Sequence, residues 1–390
     1  MLNGPFSPWP SFDEAEVNAV STVLRSNKVN YWTGHEARDF EKEFAAYIGT
    51  DYAIALMNGT VALDVCWQAL SLPPGSEVIV TSRTFLASVS SIVLAGLIPV
   101  FADVDADTQN ISVKTITPLI NANTSAILCV HLAGWPCDMA GIMALAEQHN
   151  LKVVEDCAQA HGAAIDGQMI GSFGHMAAWS FCQDKIMTTG GEGGMVTTSD
   201  KGLWERAWSF KDHGKSFSAV YEKEHPPGFR WVHESFGTNW RMTEIQATIG
   251  RLQVRKMPEW TRIRNQYGQQ IQQAAQQVGL YVPQIPTNIT HAFYKCYVFV
   301  NPSNLKPGWD RDRIIHHINE LHVPCFSGSC SEVYREKAFD NTSLRPAERL
   351  PVAQQLGDTS LMFLCHPTLT QAEIDKTCDA IKAVMQEALA

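Results

Sequence analysis

An aspartate and a lysine each follow an apolar run in which a β-strand is predicted. Asp156 ends the run 151–156, and Lys185 comes shortly after the run 176–181. Because the carboxyl ends of neighbouring parallel strands lie at one edge of a sheet, the two side chains can converge there. Alone, Asp156 could cap a helix and Lys185 could be a solvated surface residue. Their combination indicates a chemical site.

Pyridoxal phosphate is the cofactor whose chemistry requires such a pair. A carboxylate keeps the pyridine nitrogen protonated, so that the ring can act as an electron sink. A lysine amine holds the cofactor as a Schiff base and carries the proton during catalysis. The sequence therefore predicts that Asp156 and Lys185 are the catalytic residues of a pyridoxal-phosphate enzyme.

A phosphate group needs backbone donors, and Asn58-Gly59-Thr60 stands directly before a predicted helix over 61–70. The first N–H groups of a helix bind anions, and a glycine lets the backbone approach closely. The same tripeptide could also be only a turn. Phe85 follows the strand predicted over 77–81 and could cover one face of the pyridine ring, although it could also pack as a helix aromatic.

The elements that position these residues alternate between strands and helices. Continuous apolar strands joined by helices indicate an α/β fold, with a mostly parallel sheet covered by helices on both faces. The predicted strands are 77–81, 98–104, 126–131, 151–156, 176–181 and 195–198, and the predicted helices are 61–70, 85–95, 113–121 and 138–150. Ser11 and Glu14 have capping-box spacing and predict an earlier helix to about residue 24, followed by an amphipathic helix over 36–48.

The pattern changes after Arg241. A long helical region passes through the Gln-rich stretch 269–277, which is interpreted as a solvated helix face. It is followed by a predicted strand over 292–300 and by predicted helices over 312–321 and 371–388. This predicts two domains: a large cofactor-binding domain over 1–254 and a smaller α+β domain over 255–390.

Composition excludes several classes of protein. The 390 residues are 45% hydrophobic and 18% charged, which indicates a folded chain, and a net charge of -10 argues against binding to nucleic acid. The opening MLNGPFSPWPSF lacks the pattern of a secretory signal, and the apolar stretch 87–101 is too short and too interrupted to cross a membrane. We expect a cytoplasmic protein. Its ten cysteines lack metal-binding spacing, so we expect reduced packing residues and no metal site.

Several segments together resemble the DegT/DnrJ/EryC1/StrS aminotransferases, which are fold type I pyridoxal-phosphate enzymes acting mainly on nucleotide-linked keto sugars. The resemblance is close over roughly the first two thirds of the chain. The segments that carry it most clearly are Met57-Asn-Gly-Thr-Val-Ala-Leu63, Glu155-Asp-Cys-Ala-Gln-Ala-His-Gly162, Ser180-Phe181 with Lys185, and Gly237-Thr-Asn-Trp-Arg-Met-Thr-Glu-Ile-Gln246.

The resemblance implies a role for each matching residue and a homodimer with shared active sites. Lys185 would form the Schiff base and Asp156 would pair with the pyridine nitrogen, while Gln159 would lie near the phenolic oxygen and Phe85 would stack on the ring. The phosphate would be held by Gly59, Thr60 and Ser180, with Asn239 reaching it from the neighbouring subunit.

The implied reaction moves an amino group from glutamate or glutamine to a nucleotide-linked 3-keto or 4-keto 6-deoxy sugar, for cell-surface polysaccharide or a glycosylated metabolite. Amination of a keto-cyclitol, or a related aromatising reaction, is the alternative within the same family. A non-catalytic pyridoxal-phosphate sensor is a remote alternative, since no basic DNA-binding extension is evident. A sugar dehydratase of this family would carry His where this chain has Lys185.

Two segments depart from the family pattern. The run 190–194 has one glycine more than many members, and 323–334 differs from the Tyr-x-Pro-Leu-His segment that shapes the acceptor pocket in many sugar-specific members. The sequence therefore leaves the sugar unassigned. Arg83, Lys215 and Arg230 are candidate contacts for the diphosphate, although each could instead be a solvated surface cation.

Overall fold

The computed structural model describes residues 5–390. The α-helices are α1 (Glu14–Ser26), α2 (Glu36–Ile48), α3 (Gly59–Leu70), α4 (Leu86–Leu94), α5 (Val113–Ile116), α6 (Met139–Gln148), α7 (Lys201–Lys211), α8 (Phe217–Tyr221), α9 (Glu244–Gln277), α10 (Arg311–Glu320), α11 (Pro351–Thr359) and α12 (Gln371–Ala388). The strands are β1 (Tyr52–Leu56), β2 (Glu77–Thr81), β3 (Ile98–Ala102), β4 (Thr124–Val130), β5 (Lys152–Asp156), β6 (Ala164–Ile165), β7 (Gln168–Met169), β8 (Met176–Ser180), β9 (Gly194–Thr198), β10 (Ile289–Thr290), β11 (Cys296–Phe299), β12 (Cys325–Phe326) and β13 (Ser360–Phe363).

A seven-stranded sheet forms the centre of the fold, in the order β1-β9-β8-β5-β4-β2-β3. The five strands from β8 to β3 run parallel, whereas β9 is antiparallel to both β8 and β1. The predicted mostly parallel sheet is thus confirmed. The strand β1, with the sequence YAIAL, is absent from the predicted set.

Helices cover both faces of this sheet, so its strands are buried on both sides. In β4, for example, Ile127 is buried against the helices of one face and Leu128 against those of the other, because successive side chains point to opposite faces. Helices α2, α6 and α9 pack on the first face, and α3, α4 and α7 pack on the second. This burial explains why the strands are almost continuously apolar in sequence.

A second core lies towards the carboxyl end of the chain. The antiparallel sheet β11-β13-β12 packs there against α10, α12 and the last turns of α9, with Ile271, Val298, Ile318 and Ile381 all buried. Helix α9 runs continuously past residues 254 and 255, where the sequence predicts the boundary between the domains. That boundary stays a prediction.

The start of α1 differs from the prediction. The N-cap is Asp13, whose carboxylate accepts from the backbone N–H groups of Ala15 and Glu16, and Glu16 completes the capping box. The prediction of Ser11 with Glu14 was wrong because Asp13 and Glu16 have the same spacing and Asp13 has the extended backbone of a cap. Helices α2 and α12 have the predicted bounds, and the strand predicted over 292–300 is confined to Cys296–Phe299.

Most of the cysteines are packing residues, as predicted, whereas Cys330 is exposed. All ten are free thiols, and seven of them are buried. Within residues 5–390, no helix combines the length and the apolar character needed to span a membrane. The opening segment interpreted as lacking a signal includes residues 1–4, which lie outside the described part of the chain.

Candidate active site

A cavity of about 470 Å³ lies at the carboxyl ends of β5 and β8. This is where parallel sheets bind their ligands. The structure brings together here seven of the eight predicted site residues, although they come from segments up to 126 positions apart: Gly59, Thr60, Phe85, Asp156, Gln159, Ser180 and Lys185.

Asp156 is the last residue of β5, and its carboxylate is buried beneath the cavity. Its Oδ2 accepts a hydrogen bond from Ser88 Oγ at 2.8 Å, and its Oδ1 accepts from the Ala158 N–H at 3.1 Å. Burial raises the pKa of Asp156, while these two hydrogen bonds and the nearby Lys185 partly oppose the rise. The site therefore favours a cationic partner for this carboxylate, as a protonated pyridine nitrogen would be.

Lys185 follows β8 in a short turn closed by a hydrogen bond from its own N–H to the Cys182 carbonyl, 3.1 Å. Its carbonyl accepts from Trp9 Nε1 at 2.8 Å, which fixes the backbone. The ammonium nitrogen lies 3.8 Å from Asp184 Oδ1 and 5.0 Å from the centre of the Tyr294 ring. These contacts hold Lys185 in place in the wall of the cavity.

The end of the cavity beside α3 has the geometry of a phosphate site. Gly59 is the first residue of α3, whose leading N–H groups have no partner within the helix. A Cβ at Gly59 would lie 2.5 Å from the Cβ of Ser180, and one at Gly194 would lie 2.2 Å from the Asn58 carbonyl oxygen. Only glycines allow the helix start to approach the ends of β8 and β9 this closely.

Phe85 and Gln159 form the other walls. Phe85 is 72% exposed, which is unusual for a phenylalanine and leaves its ring free to cover a ligand. Gln159 is buried, and its Oε1 accepts from the Ala133 N–H at 2.7 Å, so its amide nitrogen is left to donate. These residues fit pyridoxal phosphate: a buried carboxylate, an amine, an uncovered aromatic face and a glycine cradle.

A second cavity of about 280 Å³ adjoins the first and shares Phe85, Gln159, Asp184 and Lys185 with it. Its other lining residues include Trp9, Tyr294, Lys295 and Ser329. The Tyr294 hydroxyl donates to Asp184 Oδ2, although 110 residues separate them. Sequence reasoning missed Ser88, Asp184, Tyr294 and Lys295, because no local pattern marks a contact over such distances.

Asn239 does not line this cavity. Its side chain is exposed, and its backbone pairs with that of Asp212. The next residue, Trp240, accepts a hydrogen bond through its carbonyl from the Met57 N–H at 3.0 Å. The predicted contact between Asn239 and phosphate therefore does not arise from the fold of one chain.

Arg83 is one of the three cations considered for a diphosphate. The sequence allows two interpretations, a diphosphate contact or a solvated surface cation, and the structure contradicts both. Arg83 is fully buried and donates to Gln109 Oε1 at 3.0 Å, Ser331 Oγ at 2.6 Å and Ser360 Oγ at 2.8 Å. It is neither a surface cation nor free for a ligand. Lys215 forms an ion pair with Asp212 at 3.2 Å, and Arg230 is exposed.

Comparison with known proteins gives matches over nearly the whole chain. Residues 10–382 match the DegT/DnrJ/EryC1/StrS aminotransferase family. The GDP-perosamine synthase of Escherichia coli O157:H7 is 32% identical over 380 residues, covering 95% of this chain and 96% of the relative. The dTDP-3-amino-3,6-dideoxy-alpha-D-galactopyranose transaminase of Aneurinibacillus thermoaerophilus is 30% identical over 363 residues, covering 93% of both. The structure of an aminotransferase from Psychrobacter cryohalolentis is 61% identical, covers 98% of this chain and 99% of its own, and has a TM-score of 0.97.

Proposed function

Since the chain belongs to the DegT/DnrJ/EryC1/StrS aminotransferase family, we propose that it transfers an amino group from glutamate or glutamine to a nucleotide-linked keto sugar. The enzyme is a pyridoxal-phosphate-dependent aminotransferase. The substrate class is supported by the two relatives named above, whose products carry GDP and dTDP. The observation that carries the proposed chemistry is that Asp156 and Lys185 line one cavity, together with Gly59 at the start of α3.

When bound, pyridoxal phosphate supplies an electron-withdrawing ring that carries the amino group between donor and acceptor. Gly59, Thr60 and Ser180 would hold its phosphate, Phe85 would cover one face of its ring, and Gln159 would donate to its phenolic oxygen. The donor leaves as a 2-oxo acid and the keto sugar becomes an amino sugar, so the overall reaction needs no outside oxidant or reductant.

Lys185 moves the protons of the reaction. Its Nζ accepts the proton that leaves the α-carbon of the donor, and it later delivers a proton to the sugar carbon that receives the amine. Asp184, 3.8 Å from this nitrogen, keeps the amine near the reacting carbons. Although burial alone would raise the pKa of Asp184, Lys185 and the Tyr294 hydroxyl hold it below its ordinary value, so the carboxylate stays charged.

Asp156 acts through its charge. Its carboxylate is positioned by Ser88 and Ala158 and is shielded from water, so its attraction for a protonated ring nitrogen is strong. By keeping a bound ring nitrogen positive, Asp156 would help to stabilise the negative charge that develops at the reacting carbon. The burial that raises the pKa of Asp156 is offset when that cation is present.

The proposal includes a homodimer with shared active sites, in which Asn239 completes the phosphate site of the partner. In support, the segment before Asn239 carries three strongly exposed aromatic side chains: Phe229 at 75%, Trp231 at 84% and Phe236 at 100%. Such a cluster is unfavourable in water and is typical of a surface that another chain covers. This aromatic cluster shortly precedes Asn239, the residue that is proposed to enter the partner's active site.

We further propose a cytoplasmic enzyme that provides amino sugars for cell-surface polysaccharide or glycosylated metabolites. The ten free thiols support a reducing compartment, because cysteines of secreted proteins are commonly paired.

The test is an assay of the purified enzyme against nucleotide-linked 3-keto and 4-keto sugars and a keto-cyclitol, with glutamate or glutamine, reading the aminated product by mass. Amination of a nucleotide-linked sugar is expected, and Lys185→Ala should abolish it. Borohydride reduction should leave a pyridoxyl group on the peptide that contains Lys185. Amination of the cyclitol alone, or a label on another lysine, would overturn the proposal. Labelling of Lys185 with no amination of any acceptor would favour the sensor.

A further inference from the structure

Lys295 stands just before β11, on the side of that strand that faces the active site. Alternate residues of a strand point in opposite directions, and Cys296 and Val298 are buried in the second core. Lys295 therefore shares the other side with Tyr297, whose ring lies 5.7 Å from the Arg83 guanidinium. This direction places Lys295 in the wall of the smaller cavity, together with Lys185.

The ammonium of Lys295 is unpaired within residues 5–390. No hydrogen bond or ion pair joins it to a described residue, and its clearest contact is the Tyr294 ring, 5.0 Å from Nζ to the ring centre. The Nζ of Lys185 lies at the same distance from that ring. Asp184 is the one carboxylate among the described lining residues of the smaller cavity, and it already binds Tyr294 and Lys185.

Among the described residues that line the two cavities, Lys185 and Lys295 are the only cations. Arg264, which lies nearby, is buried and donates to the carbonyl oxygens of Phe293 and Tyr294. Lys185 is proposed to hold the cofactor and to transfer protons, so it is not available to bind a substrate anion. A substrate anion that enters the smaller cavity therefore has one free cation within this chain to bind.

The amino-acid donor brings such an anion. Glutamate and glutamine both carry an α-carboxylate, and it must be held while the α-carbon stays within reach of Lys185. Ser329 lies in the same wall, where its backbone N–H donates to the Tyr297 hydroxyl at 2.9 Å. Its own hydroxyl accepts from Tyr297 at 3.5 Å, so the hydrogen of that hydroxyl is left to donate to a carboxylate. Burial lowers the pKa of Lys295 to about 8, while Asp184 opposes the fall, so the amine is still mostly charged at neutral pH.

We propose that Lys295 is the residue of this chain that binds the carboxylate of a substrate in the active site, and that the donor amino acid provides that carboxylate. The inference rests on the proposed transamination. An acidic group on the acceptor has the same chemistry and would enter the same cavity in the second half-reaction, so the experiment separates the two sources.

The experiment uses the holoenzyme and three variants. Lys295→Gln removes the charge, Lys295→Arg keeps it, and Lys201→Gln is the matched control, because Lys201 is a surface residue of α7 that is 62% exposed. Each half-reaction is followed separately by the absorbance of the cofactor, with glutamate alone and then with the keto sugar alone. Binding of glutarate, which carries carboxylates but no amine, is measured by calorimetry.

For Lys295→Gln we expect the concentration of glutamate at half-saturation to rise about 10- to 100-fold, with a limiting rate within about threefold of the wild type, because a hydrogen-bonded ion pair is lost in the ground state. Glutarate binding should weaken in parallel, and Lys295→Arg should restore both within a few fold. A rise confined to the sugar half-reaction would assign the carboxylate to the acceptor.

Unchanged half-saturation in both half-reactions, together with unchanged glutarate binding, would overturn the role of Lys295. A wild type that reacts with neither glutamate nor glutamine would contradict the proposed function instead, and glutarate binding would still decide whether Lys295 holds a carboxylate. Thermal unfolding and the borohydride label on Lys185 show whether each variant is folded and loaded.

Discussion

The hydroxyl of Ser88 lies 2.8 Å from Oδ2 of Asp156, although 68 residues separate the two in the chain. Ser88 is in the first turn of α4, and Thr84 lies 2.8 Å from it, oxygen to oxygen. The helix that follows β2 thus orients the carboxylate at the end of β5. A buried carboxylate held in this way has little freedom to turn away from a cation in the cavity, so its orientation towards that cation is fixed.

Asp156→Asn should fold and bind the cofactor but lose transamination by about 100-fold or more, because an amide can accept the Ser88 hydrogen bond but cannot keep the ring nitrogen protonated. Ser88→Ala is the matched control, since it loosens the carboxylate without removing its charge, and it should cost only several-fold. Turnover measured at equal cofactor occupancy tests both. Near-normal activity of Asp156→Asn would mean that Asp156 has only a structural role.

The parts of the site that the sequence predicts are those built from contiguous residues. Gly59 and Thr60 precede a helix, and Asp156 and Lys185 follow strands, so their chemistry is visible in local patterns. Ser88, Tyr294 and Lys295 reach the site only through long-range packing. Arg83 was misjudged for the same reason: the hydroxyl groups that receive its guanidinium, on Ser331 and Ser360, are 248 and 277 positions away.

Gly59→Ala should weaken retention of the cofactor by about tenfold or more, because the new methyl group would lie 2.5 Å from the Ser180 Cβ and push the start of α3 away from the phosphate. The measurement is the absorbance that remains after dialysis. Gly202→Ala, in α7, is the control, since its nearest neighbour is the Asp200 carboxylate at 3.3 Å. Equal retention in both variants would argue against a phosphate site at Gly59.

Acid should destabilise the protein partly through His161. Burial, followed by the positive charges of Lys185 and Arg264, lowers the pKa of His161 to about 3, and neither ring nitrogen has a partner among the described residues. The folded state keeps this histidine neutral while the unfolded chain protonates it near pH 6.5. Its contribution to stability is therefore complete above pH 6.5 and falls as the pH drops towards 3.

Between pH 7.5 and 5.5 this linkage amounts to about 1.4 kcal/mol of unfolding free energy. His161→Leu removes the titrating group and leaves an apolar side chain between Trp179 and Phe181. Its unfolding free energy in urea should therefore decline about 1.4 kcal/mol less over that interval than that of the wild type at the same protein concentration. An identical decline in both would show that His161 does not stay neutral.

Arg83→Met should reduce stability by about 3 kcal/mol, because the three acceptors of the guanidinium would lose a charged donor in a buried place. The KM for the nucleotide sugar should change less than about twofold, since Arg83 does not face the cavity. Arg230→Met is the exposed counterpart and should leave the unfolding free energy unchanged. A large rise in KM for Arg83→Met without loss of stability would restore Arg83 as a substrate contact.

The shared active site can be tested by mixing two inactive variants. Lys185→Ala removes the catalytic amine, and Asn239→Asp places a carboxylate against the phosphate that the partner is proposed to hold. Asn239 is exposed and lies outside the cavity of its own chain, so these two residues would serve one site only when they come from different chains. A heterodimer would then contain one site with both residues intact and one site with neither.

Subunit exchange should therefore recover activity, up to about half of the sites in each heterodimer, by the two-fold symmetry of such an assembly. The comparison is a mixture of Lys185→Ala with the double variant Lys185→Ala and Asn239→Asp, in which no site regains an intact lysine. Native mass spectrometry measures the fraction of heterodimer, and turnover is divided by that fraction. If heterodimers form and both mixtures stay inactive, Asn239 acts within its own chain or has no part in holding the phosphate. A shared site would have given each heterodimer one site with both Lys185 and Asn239 intact, and that site would be active.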